Sequence, residues 1–117
     1  MKKVKKIYAK DFVQPLVEDL AKNGEEKIYF NPFISAVLAC KFVYPRIVEN
    51  TKKEDIVSEL DKMAYLDEIK FGRDGNQTFF EYTGNGETES MEDLVSKETF
   101  SGFSKAVKAG LESEQSL

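Results

Sequence analysis

The sequence predicts an α+β domain: a helix, a short strand, two helices, a β-hairpin and a C-terminal helical segment. Three observations predict it. Apolar residues recur at helical spacing on both sides of a short β-rich run at residues 25–30. Two further β-rich runs flank Arg73-Asp74-Gly75-Asn76, and Asp-Gly between such runs is a strong local hairpin signal. The chain has 117 residues, 41% apolar and 32% charged, enough for one core and too few for a second domain.

The first helix is written in Phe12, Val13, Leu16, Val17 and Leu20, one apolar stripe that leaves Glu18, Asp19 and Lys22 outward. Asp11 and Gln14 have the spacing of a capping box, and Pro15 stands at the edge of the tolerated first turn. Asn23-Gly24 ends the helix, because glycine takes the left-handed C-terminal position at no steric cost. Residues 25–30 follow as a strand, with Ile28 and Phe30 on one side and Tyr29 on the other. Asn31-Pro32 then starts the second helix, asparagine as its cap and proline as its first helical residue. Apolar residues from Phe33 to Phe42 wrap most of its circumference, as a central helix requires, and Tyr44-Pro45 ends it. Thr51 with Glu54 makes another capping box, and Ile56, Val57, Leu60, Met63 and Ala64 place the third helix at residues 52–64.

A turn at Asp74-Gly75 would pair Ile69 with Phe80, Phe71 with Thr78 and Asp67 with Tyr82. Ile69, Phe71, Phe80 and Tyr82 then face the core, while Glu68, Lys70, Phe79 and Glu81 face away. Gly84-Asn85-Gly86 closes a first unit spanning residues 1–84, and residues 85–117 read as an acidic linker with a helical tail. In that tail Met91, Leu94 and Val95, then Phe100, Phe103, Val107 and Leu111, form one kinked helix or two short ones, interrupted by Gly102 and Gly110.

Composition restricts the chemistry. With no histidine, no tryptophan and one cysteine, the chain lacks a Ser-His-Asp triad, a Cys-His pair, a histidine metal site and an internal disulfide. Its carboxylates are scattered over polar helix faces without the spacing of a calcium loop, and Gly84-Asn85-Gly86 lacks the lysine and following helix of a phosphate-binding loop. No catalytic residue, metal or cofactor is expected. Five lysines open the chain, yet no apolar run of signal-peptide or membrane-spanning length follows, so a cytoplasmic protein with no membrane partner is expected. Cys40 inside the apolar second helix fits a reducing compartment. The net charge of −4 is unevenly placed: residues 1–84 carry 14 basic and 14 acidic side chains, whereas residues 85–117 carry 3 against 7.

The element order, together with DIVSELDKMAYLDEIKFGRDGNQTFFEY, resembles the winged helix-turn-helix superfamily over residues 9–84. The resemblance implies that the third helix enters a DNA major groove and the hairpin flanks it as a wing. It also implies a non-enzymatic DNA-binding transcriptional regulator, with Lys52, Lys53, Ser58, Lys62, Lys70 and Arg73 as the DNA contacts and the N-terminal lysines as an arm. The family usually has a glycine between the third helix and the first wing strand, where this chain has Ala64-Tyr65. Glu54, Asp55, Glu59 and Asp61 on the third helix oppose a phosphate backbone. The alternative is therefore a protein-interaction module, an adaptor or inhibitor of the kind viruses and mobile elements encode, docking on a larger protein. Phe79, sent outward by alternation, is a candidate partner contact, and Phe100, Phe103, Val107 and Leu111 are candidates for a homodimer contact.

Overall fold

The computed structural model describes residues 5–86 and 91–115. The first apolar stripe forms α1 (Ala9–Lys22). Asp11 serves from inside the first turn, its carboxylate accepting the Tyr8 backbone N–H at 2.9 Å, so the helix begins upstream of the expected cap. Pro15 lies within the helix, where its missing N–H deprives only the Asp11 carbonyl of a helical donor. The end is as expected. Gly24 adopts φ 99°, and the Glu25 N–H reaches back to the Leu20 carbonyl at 3.0 Å.

The expected strand shrinks to β1 (Ile28–Tyr29), and α2 (Phe30–Ala39) begins at once. Asn31 and Pro32 therefore fall inside the first turn of α2 and do not cap it. Pro32 is harmless there, since first-turn N–H groups have no helical acceptor. After a tighter turn at Cys40–Phe42, a helix the sequence did not announce, α3 (Pro45–Val48), opens on its proline. The third predicted helix is α4 (Lys53–Tyr65), capped one residue later than expected: the Asp55 carboxylate accepts the Lys52 N–H at 2.9 Å, and Thr51 is buried.

The hairpin strands β2 (Ile69–Asp74) and β3 (Gln77–Tyr82) join β1 in an antiparallel sheet of order β1-β3-β2. Its register corrects the expected one. Ile69 lies opposite Tyr82, Phe71 opposite Phe80 and Asp74 opposite Gln77, because the turn residues are Gly75 and Asn76. Gly75 has φ 62°, as the first central position of a type II′ turn requires. The pairing shifts by two positions, so every side chain keeps its expected face.

One unbroken helix, α5 (Lys97–Gln115), follows, its start capped by the Ser96 hydroxyl accepting the Thr99 N–H at 3.1 Å. Its glycines mark close approach and no kink: a Cβ on Gly110 would stand 3.0 Å from the Ala36 Cβ, and one on Gly102 would collide with the Tyr44 hydroxyl. This packing overturns the separate-tail reading. Met91, Phe103, Val107 and Leu111 belong to the same buried core as Phe12, Phe33 and Phe80, with Phe103 edge-on to Phe12 at 5.6 Å. Phe103, Val107 and Leu111 have no exposed surface, so these three are not available as a dimer contact, while Phe100 is half-buried against Phe103. The physical reason is α2, whose apolar surface runs nearly all round and needs α5 on one side as much as the sheet on the other.

Candidate interaction surface

α4 presents its surface from a simple helical pattern. Ile56, Leu60 and Met63 point into the core, which leaves Glu54, Ser58, Asp61 and Tyr65 as an exposed ridge on the opposite side. Tyr65 is 87% exposed and the adjoining Leu66 52%. The helix then stops on Asp67 at φ 59°, with the Glu68 N–H bonded to the Met63 carbonyl at 2.8 Å and the Asp67 N–H to the Ala64 carbonyl at 3.1 Å. This is the Schellman arrangement that glycine usually completes, here made by an aspartate, which tolerates the left-handed region better than most residues. Thr83, just past the end of β3, secures the corner, its N–H on the Glu68 carbonyl at 2.9 Å and its hydroxyl on the Asp67 carbonyl at 2.6 Å.

The six residues assigned to DNA contact, Lys52, Lys53, Ser58, Lys62, Lys70 and Arg73, are all exposed, but they do not share a face. Lys52 and Lys53 stand at the start of α4, Ser58 on its outward ridge, and Lys62 on the flank that turns toward α1. Lys70 lies on the outer face of the sheet opposite Glu81, while Arg73, opposite Thr78, takes the other face at the hairpin tip. Around them the balance is acidic, with two lysines against six carboxylates over residues 53–68.

No family model, curated protein or solved structure matches the chain. Phe79 points outward, yet it is not a free contact: its ring lies across Gly72, where a Cβ would be 2.5 Å from the Phe79 Cζ. Tyr29 meets that ring edge-on at 6.0 Å, and Lys27 Nζ sits 4.8 Å from its centroid. Phe79 thus shields a glycine in the sheet, and the Tyr29 hydroxyl ties down the hairpin by donating to Asp74 Oδ2 at 3.0 Å.

The surface the sequence did not announce is the seam between α1 and α4. Two cavities of about 350 and 340 Å³ lie along it and share Lys10 and Glu59. Tyr8 and Ala9 face Asp55 and Ser58 at one end, and Gln14 faces Lys62 and Leu66 at the other, so the two helices run side by side in the same direction. A smaller cavity of about 250 Å³ opens on the other flank of α1, between Pro15 and the Met91 and Phe100 side chains. Beneath it Glu18 is buried and paired with Lys22 at 2.8 Å. Among the described residues no three histidine, cysteine, aspartate or glutamate side chains are grouped to hold a metal, and no helix is long and apolar enough to cross a membrane. Burial pushes the Cys40 thiol above its ordinary pKa, which favours the unreactive protonated form.

Proposed function

We propose that the protein is a non-catalytic interaction module, an adaptor or an inhibitor, that docks on another protein through the outward side of α4. One observation carries this reading: the ridge Glu54, Ser58, Asp61 and Tyr65, continued by exposed Leu66, is the outward side of α4, the helix that the winged-helix resemblance would turn toward DNA. Carboxylates held against phosphates weaken binding, whereas an exposed tyrosine and leucine beside acidic groups suit a protein surface with basic and apolar features. The test is affinity purification of the tagged full chain from lysate, with nuclease treatment. A stoichiometric protein that survives nuclease, and that is lost when Glu54 and Asp61 are both replaced by lysine, supports the module. Recovery only of nuclease-sensitive material defeats it.

DNA binding is the second reading, and it rests on the hairpin. The β2–β3 hairpin is the element that the resemblance reads as a wing, with Arg73 exposed near its tip and Lys52 and Lys53 exposed at the start of α4. A duplex shift at about 50 mM salt that disappears in Arg73→Ala and weakens steeply as salt rises would favour it over the protein partner.

A further inference from the structure

We infer that the outward side of α2 is a self-association surface, closed by a second copy of this chain. It lies on a different helix from the ridge of α4, and the two readings stand or fall separately. Charge marks the place first. Residues 28–40 contain no charged side chain, in a chain that is 32% charged. α2 turns its buried sides to the sheet and to α5, and leaves Asn31, Ser35 and Ala39 exposed at intervals of four, one stripe along the helix. The tighter turn at Cys40–Phe42 extends that stripe, because residues three apart eclipse in such a turn and Phe42 comes into line with Ala39. Phe42 is 92% exposed, and Val43 beside it 69%.

Phe42 is held as a fixed knob. The Val43 and Tyr44 N–H groups bond to the Cys40 carbonyl at 3.1 and 2.6 Å, and the Tyr44 ring is wedged edge-on to Phe103 at 5.9 Å with its hydroxyl against Gly102. Little backbone freedom is left to lose on binding. The stripe is also complementary to itself: the knob stands at one end, and the small side chains Ala39 and Ser35 form a notch that ends about 11 Å along the helix. A two-fold axis midway between Ser35 and Phe42 lays α2 antiparallel on its copy and seats each knob in the other copy's notch. The contact brings no like charges together, since the stripe has none and Lys41 stands about a third of a turn round from Phe42. A membrane suits the stripe less well, because Asn31, Ser35 and Ala39 behind the knob offer no apolar face to lie among acyl chains. Each knob and each notch bury about 200 Å², about 800 Å² in all, which is in the range of weak, transient contacts below about 1,200 Å². The dissociation constant expected is about 1 mM, so the chain is a monomer at micromolar concentrations and pairs only when concentrated.

The test is sedimentation equilibrium of the full chain from about 20 μM to about 2 mM at about 150 mM salt, where a monomer–dimer equilibrium is expected. Phe42→Lys and Ser35→Glu each weaken association by about fivefold or more. Mixed in equal amounts, the two variants associate again, because one contact of the mixed pair becomes an ion pair and the other keeps its natural residues. Tyr65→Ser, on the exposed ridge of α4, leaves association within about twofold. Circular dichroism melts confirm that each variant is folded. A mixture no more associated than its components, or association lost in Tyr65→Ser and kept in Phe42→Lys, overturns the assignment. So does growth beyond a dimer, which marks a contact that does not close. Absence of a dimer by about 2 mM overturns it as well, and flotation with phosphatidylcholine vesicles that Phe42→Lys abolishes then gives the knob to a membrane.

Discussion

Replacing Phe103 by alanine removes a side chain with no exposed surface that touches three other rings: Phe12 at 5.6 Å, Tyr44 at 5.9 Å and Phe100 at 6.4 Å between centroids. Truncating a buried phenylalanine costs about 3–5 kcal/mol, and the lost edge-on contacts place this site at about 4 kcal/mol. That is a large part of the roughly 5–15 kcal/mol that keeps a small domain folded. With a urea dependence of about 1.5 kcal/mol per molar, the midpoint should fall by about 2.5 M, or melting by about 15 °C. The assay is urea unfolding followed by helical circular dichroism and by tyrosine fluorescence, with Phe42→Ala as the exposed control, expected to change stability by no more than about 0.5 kcal/mol. Both probes should move together, in one transition whose midpoint does not change over about a hundredfold range of protein concentration. A loss below about 1 kcal/mol refutes the placement of α5 in the core. A midpoint that rises with concentration refutes it differently, by returning Phe103 to a contact between two copies.

Other expectations follow from single features. Asp67→Gly should raise stability by about 0.5 kcal/mol, since relief of the left-handed strain of about 1–2 kcal/mol outweighs the added freedom of the unfolded chain; Asp67→Ile should lower it by about 1 kcal/mol, both read from thermal melts. Burial, and then the neighbouring Glu112 carboxylate, hold the Glu25 carboxyl above its usual range. The folded state therefore binds that proton more tightly than the unfolded chain, so the contribution of Glu25 is full below the unfolded carboxylate range and is lost as pH rises through the folded value. Glu25→Gln should accordingly be the more stable protein near neutrality, by at most about 0.5 kcal/mol, with the difference closing below about pH 4 in urea titrations. Cys40, buried and with its thiol pKa pushed up, should react slowly with a disulfide reagent in the native protein and fully in denaturant; rapid native labelling would contradict its place in the core.

The faces of the elements were legible, because apolar periodicity records which side is buried. Ile56, Leu60 and Met63 on α4, and Ile69, Phe71, Phe80 and Tyr82 on the hairpin, stand where their spacing puts them. Positions along the chain were less legible wherever two equivalent signals adjoin. Thr51 with Glu54 and Lys52 with Asp55 sit one residue apart, and the backbone chose the pair that leaves Thr51 inside. Asp74-Gly75 and Gly75-Asn76 are both turn dipeptides, and a two-position slip alters no face, so alternation alone does not choose between them. The stripe Phe103, Val107 and Leu111 announced an apolar face but not what covers it, since the chain's own core and a second copy need the same pattern. The α1–α4 seam was hidden for a related reason: it exists only once two helices separated by more than thirty residues are known to be neighbours. Tyr8, Lys10, Glu59 and Leu66 carry no spacing signal that relates them.

The central claim is that the outward side of α4 repels nucleic acid and is built for a protein. Its most direct test is an anisotropy titration of a labelled duplex at about 50 mM salt, where phosphate contacts are strongest, with the natural chain and with Glu54→Lys/Asp61→Lys side by side. The natural chain should show no saturable binding below about 100 μM, and the charge-reversed variant should acquire it. Tight, salt-sensitive binding by the natural chain that the reversal leaves unchanged would contradict the account.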